Sequence, residues 1–143
     1  MKNSMGFSNY CCADSRGKAG GLSLFWKVGV ELEVVFSNKN VIVALIYSDP
    51  SKCAWLLIAV HGPPYMAKKH QFWELMAEII DSFVGAWLMI GDLNVITGSS
   101  EKLGGSQKGK CSSRCFQNFV SCVGAIDLGF CGPKFTWTNR RAG

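Results

Sequence analysis

The stretch Ala86-Trp87-Leu88-Met89-Ile90-Gly91-Asp92-Leu93-Asn94 decides the architecture. Five apolar residues run straight into a glycine, a carboxylate and, two positions on, a carboxamide. An apolar run of this length, bounded by Gly85 and Gly91, reads as a buried strand. Strands apolar on both faces need covering layers, which points to an α/β arrangement. Residues two apart in an extended segment point the same way. Asp92 and Asn94 are thus expected to project together from the carboxyl end of a strand, where α/β sheets place their ligands. Gly91 lets another backbone come close. A carboxylate can hold a hard cation or orient a water, and an amide can donate to a phosphate oxygen without adding negative charge. The same residues can also do no more than turn the chain after a strand.

Working outward, residues 66–83 place Phe72, Met76, Ile79, Ile80 and Phe83 at helical spacing, which predicts an amphipathic helix of about five turns. Gly85 is expected to cap it. Before it, residues 22–26 (LSLFW), 41–47 (VIVALIY) and 53–60 (CAWLLIAV) read as buried strands. Val30, Leu32, Val34 and Phe36 alternate with Glu31, Glu33 and Val35, the period of a half-buried strand. The turns SNKN (37–40) and DPSK (49–52) are short, so these strands are expected to be antiparallel neighbours. Residues 97–110 read as a loop. Phe116, Phe119, Val120 and Val123 mark a second helix stopped by Gly124, and residues 135–138 (FTWT) a last strand. The predicted order is four strands, helix, strand, helix, strand, in α/β layers with a mixed sheet.

The whole chain has 143 residues, one domain's worth or part of a larger one. At 48% hydrophobic and 17% charged it is not composed like a disordered segment. No apolar run reaches the roughly 18 residues of a membrane span. The first residues, MKNSMGFSNY, do not read as a signal peptide. With seven cysteines, an odd number, the expectation is a reduced intracellular chain whose thiols pack as small hydrophobes. Cys111 and Cys115 could share a helix face, but a zinc site needs two more ligands, and His61 and His70 have no matching spacing. The net charge of +5 is spread without a block, which suits either a polyanionic partner or a solvated basic surface.

Gly91-Asp92-Leu93-Asn94 after Trp87-Leu88-Met89-Ile90 resembles the GDxN signature of the endonuclease/exonuclease/phosphatase superfamily, whose fold is deoxyribonuclease I-like. The likeness runs along most of the chain. Residues 20–27 (GGLSLFWK) resemble the "GGLALLWK" strand of plant members. His61-Gly62-Pro63-Pro64 resembles the "YGPP" turn, followed by a helix carrying Phe72-Trp73. Residues 101–105 (EKLGG), 127–130 (DLGF) and 132–139 (GPKFTWTN) complete a combination similar to the endonuclease region of plant non-LTR (LINE-type) retrotransposon polyproteins.

The resemblance implies a partial deoxyribonuclease I-like layered α/β sandwich with mixed sheets. Residues 1–143 would form a single domain truncated at both ends. It implies a Mg²⁺-assisted phosphodiesterase that nicks DNA, nuclear where functional, with no specific protein partner and no membrane. Asp92 would bind the metal and orient or deprotonate the water. Asn94 would contact the scissile phosphate and help hold Asp92. His61 falls where many members carry a phosphate-donating tyrosine, though it can equally be a strand terminator before Gly-Pro-Pro. Thr136 and Thr138 lie near the family's DNA-facing strand. The departures are two. The family's "Q-E" metal-binding glutamate has no counterpart, Glu31 and Glu33 being expected on a wet face. The family's Ser-Asp-His segment is also missing from this sequence. Members of a catalytic unit act together, so little or no nuclease activity is expected. Open sheet edges and aggregation are expected too. An RNA deadenylase or lipid phosphatase would need motifs that this sequence lacks.

Overall fold

The computed structural model describes residues 6–13, 21–48, 53–97, 110–129 and 131–132, with the side chains of 110–113 outside that description. The strand expected at 135–138, with Thr136 and Thr138, the turn expected at 49–52 and residues 98–109 of the loop expected at 97–110 lie outside the described residues.

The described chain is a mixed α/β fold with two sheets and two helices. The elements are β1 (Asn9–Ala13), β2 (Leu22–Trp26), β3 (Leu32–Asn38), β4 (Val41–Ile46), β5 (Trp55–His61), α1 (Met66–Asp81), β6 (Trp87–Asp92) and α2 (Lys110–Val123). β1 and β2 form a two-stranded antiparallel sheet. The larger sheet has the order β3-β4-β5-β6. Its first three strands are antiparallel neighbours, as the short turns require, and β6 joins β5 in parallel after the α1 crossover. That parallel step makes the sheet mixed.

β4 and β5 hold the centre. Val41, Val43, Leu56, Ile58 and Val60 are buried on one face against Phe72, Trp73, Met76 and Ile80 of α1 and Phe119 of α2. The alternate residues Ile42 and Ala44 are equally buried and face the other way. β2 lies against β4 and β5 there, and β1 against β3. The molecule is thus layered: a small sheet, the mixed sheet, then two helices. The helices lock through aromatic rings. The Trp73 centroid is 4.9 Å from both Phe116 and Phe119, and 4.8 Å edge-on from Phe72.

Several expectations are corrected. Gly85 does not cap α1. The helix ends at Asp81, and Ser82 caps it in a right-handed conformation, its hydroxyl donating to the Ile79 carbonyl at 2.8 Å. Gly124 does cap α2, with φ of 64° and the Ala125 N–H bonded back to the Val120 carbonyl at 3.0 Å. Val30 lies outside β3. A bulge between Val34 and Phe36 leaves Val35 without a partner, which breaks the two-residue period half-way along. β1 was not expected. Its sequence, NYCCA, is short and half polar, and pairing with the apolar β2 makes it a strand. Lys110 belongs to α2 rather than to the preceding loop.

Candidate functional site

The parallel pair β5 and β6 ends with His61 directly opposite Asp92. The two residues therefore leave the carboxyl end of the sheet as register neighbours on adjacent strands. His61 is half-buried and Asp92 exposed.

Backbone geometry fixes this tip. Past His61, the Gly62 N–H donates to the Asp92 carbonyl at 2.7 Å. A Cβ on Gly62 would sit 2.3 Å from the Leu93 carbonyl oxygen, and one on Gly91 would sit 1.9 Å from that of Val60. Both neighbours are backbone and cannot swing aside. Gly91 also has φ of 139°, which side chains with a Cβ rarely adopt. The close approach expected at Gly91 is therefore to the neighbouring strand. The His61 backbone is pinned from the other side, its N–H donating to the Asn40 carbonyl at 2.8 Å and its carbonyl accepting from Asn40 Nδ2 at 2.7 Å.

Asp92 and Asn94 are brought together, but not by extended spacing. The strand ends at Asp92, and Asn94 turns left-handed with φ of 49°. Its backbone N–H donates to Asp92 Oδ1 at 2.9 Å, an Asx-type turn. Its carboxamide Nδ2 donates to the Gly62 carbonyl at 2.7 Å. Asn94 thus clamps the β5 turn with its side chain and steadies the Asp92 carboxylate with its main chain. The amide nitrogen carries a second N–H beyond the one given to Gly62.

Beneath the tip is a residue that the sequence did not single out. Lys69, only 5% exposed, sits in the second turn of α1 and donates through Nζ to the Asn94 carbonyl. Burial lowers its proton affinity, and the negative charge of Asp92 partly opposes this. The signal was present. Carrying the core stripe of Phe72, Trp73 and Met76 back by three or four positions lands on Lys69, and a lysine in a core stripe is rarely buried without partners.

Glu31, just before β3, and Glu33, on it, are far from this tip. Glu33 aligns across the sheet with Leu45, Leu56 and Trp87. Trp87 starts β6 and Asp92 ends it, a run of about 17 Å at strand rise. Glu33 is occupied there, accepting from the Tyr47 hydroxyl at 2.9 Å. That bond, with a smaller contribution from burial, raises the tyrosine's proton affinity. Among the described residues no three His, Cys, Asp or Glu side chains gather into a metal-holding group. Asp92 alone is a loose hold on Mg²⁺, which prefers one or two carboxylates with phosphate and water. The fit is incomplete, and no step is routed through a metal. No helix among the described residues is long and apolar enough to cross a membrane.

Chemically, the tip offers an exposed carboxylate that can accept a hydrogen bond, a histidine at the matching position of the neighbouring strand and a carboxamide bonded to the Gly62 carbonyl, on backbone held by glycine contacts. The sequence matches no protein-family model and no curated protein.

Proposed function

We propose that this chain is part of a deoxyribonuclease I-like endonuclease domain of LINE-type retrotransposon origin. It descends from a Mg²⁺-dependent phosphodiesterase that nicks DNA, and its own catalysis is impaired. The observation that carries this proposal is the register pairing of His61 with Asp92 at the tips of two parallel strands, with Asn94 bonded to Asp92 and to Gly62 next to His61. Two motifs 30 residues apart in the sequence thereby meet at one point, which is what a phosphate-handling site requires. Asp92 orients the attacking water or takes its proton, Asn94 supports Asp92, and His61 faces the phosphate. Mg²⁺, when bound, would stabilise charge on the phosphate oxygens. Thr136 and Thr138 are assigned to the DNA-facing side on the resemblance alone.

Purified chain, Mg²⁺ and supercoiled plasmid test the assignment. The chain alone is expected to nick at or near background. Extending it with a Gln-Glu strand before residue 1 and a Ser-Asp-His strand after residue 143 is expected to produce nicking that Asp92→Ala abolishes. Rapid nicking by the unextended chain would overturn the impairment. An extended, folded chain that stays inert would overturn the catalytic assignment of Asp92 and leave only the binding role.

A second role, as a non-catalytic nucleic-acid-binding remnant, is favoured by the net charge of +5. It predicts DNA affinity that falls steeply with salt and no cleavage in either form of the chain.

A further inference from the structure

The carboxyl tip of the sheet is approached from below by one buried cation. Lys69 shares the inward stripe of α1 with Phe72, Trp73 and Met76, yet it carries an ammonium where those carry rings and a thioether. Its Nζ donates to the main-chain carbonyl of Asn94. That carbonyl belongs to the left-handed residue whose N–H holds Asp92 Oδ1 and whose side chain holds Gly62. Three hydrogen bonds of the tip therefore converge on Asn94, and one of them is the grip of Lys69 from the helix side. α1 is the crossover between β5 and β6, so this grip ties the crossover to both strand ends that it connects.

We propose that Lys69 is a positioning residue, acting on Asp92 through Asn94: it holds the Asn94 carbonyl down and so aims the Asp92 carboxylate outward. This role rests on the phosphodiester function proposed above. Burying an ammonium is unfavourable unless it is paired. Methionine at this place would keep the unbranched stem and its packing while removing the donor. Arginine would keep both a charge and donors. The pair of substitutions therefore separates positioning from space-filling.

The test is nuclear magnetic resonance of the whole chain. In the unsubstituted protein a coupling across the hydrogen bond is expected between the Lys69 ammonium nitrogen and the Asn94 carbonyl carbon. In Lys69→Met the Asn94 amide proton is expected to exchange about tenfold faster or more, with the amides of β4 unchanged, and Lys69→Arg to restore most of the protection. Absence of the coupling overturns the proposal even if Lys69→Met does not fold. Equal exchange in the Met and Arg variants, both folded, also overturns it and leaves Lys69 as packing. DNA affinity, followed by fluorescence anisotropy at low salt, is measured on the same samples. A chain that shows the coupling but binds no DNA retains the tether and overturns the function on which its catalytic meaning rests.

Discussion

The two ends of the mixed sheet are built on opposite plans. At the carboxyl end of β5 and β6, polar groups are knotted by hydrogen bonds among Asn40, His61, Gly62, Asp92, Asn94 and Lys69. At the other end the strands emerge from an apolar hollow of about 740 Å³ lined by Cys53, Trp55, Phe83, Val84 and the small residues between them. Val84 is fully exposed there. One end is specified by side-chain hydrogen bonds and by glycines set hard against neighbouring backbone, the other mainly by burial. Directional specification is what a site needs, because it fixes where each lone pair points, whereas apolar packing tolerates sliding. The difference teaches where single substitutions will hurt.

The largest effect is expected from Gly91→Ala. The added methyl meets the Val60 carbonyl and the backbone sits at positive φ, so destabilisation of about 3 kcal/mol is expected in urea unfolding. A loss below about 1 kcal/mol would mean that the tip gives way as easily as the apolar end. Next is Asn94→Ala, which strips the donor from the Gly62 carbonyl and leaves a left-handed alanine, for about 2 kcal/mol. Asn94→Gly sharpens the comparison, since it relieves the backbone and should recover roughly half of that loss.

Alkaline pH gives a smaller, signed effect. Lys69 binds its proton less tightly when folded, so the unfolded chain holds more protons between that lowered value and the usual 10.5. Stability should therefore rise with pH across that window. Tyr47 works the other way. Its affinity is raised above 10.0, so what it contributes is present below that pH and lost as pH climbs through the raised value. Tyr47→Phe removes the second effect, and urea midpoints from pH 8 upward should then show only the rise. A flat profile would remove Lys69 from the knot. The smallest effect is expected at the apolar end, where Val84→Ser should change stability by less than about 0.5 kcal/mol while reducing light scattering from aggregates.

How far the sequence could be followed depended on the kind of force at work. β4 and β5 were legible because continuous β-branched and aliphatic runs bounded by turns admit few other structures, and α1 because its apolar stripe repeats at helical spacing. The meeting of Gly91–Asn94 with His61–Gly62 was legible only as two separate motifs, since register between β5 and β6 is set by the crossover rather than by either motif. β1 escaped because Asn9, Tyr10 and two cysteines carry no periodic signal and the strand exists through its partner. The bulge at Val35 escaped because an extra residue leaves composition unchanged. The conformation of Asn94 was misjudged for a specific reason: Asp92 can accept its N–H, and that local bond outcompetes further extension. Lys69 was overlooked because a lysine is counted as surface unless the stripe is carried backward.

β6 is an edge of the larger sheet among the described residues, and Ile90 on it is 59% exposed. This is where the expected aggregation would begin, by edge-to-edge pairing.

The two glycines at the tip have a genetic consequence. Glycine codons share their first two nucleotides, so any change at either nucleotide inserts a side chain, or a stop, where the strands touch. Many single-nucleotide neighbours of valine, isoleucine and leucine codons encode other apolar residues. Codon for codon, a copy of this gene drifting free of selection would thus lose Gly62 or Gly91, and with it the geometry around Asp92, more readily than any one valine of its central strands.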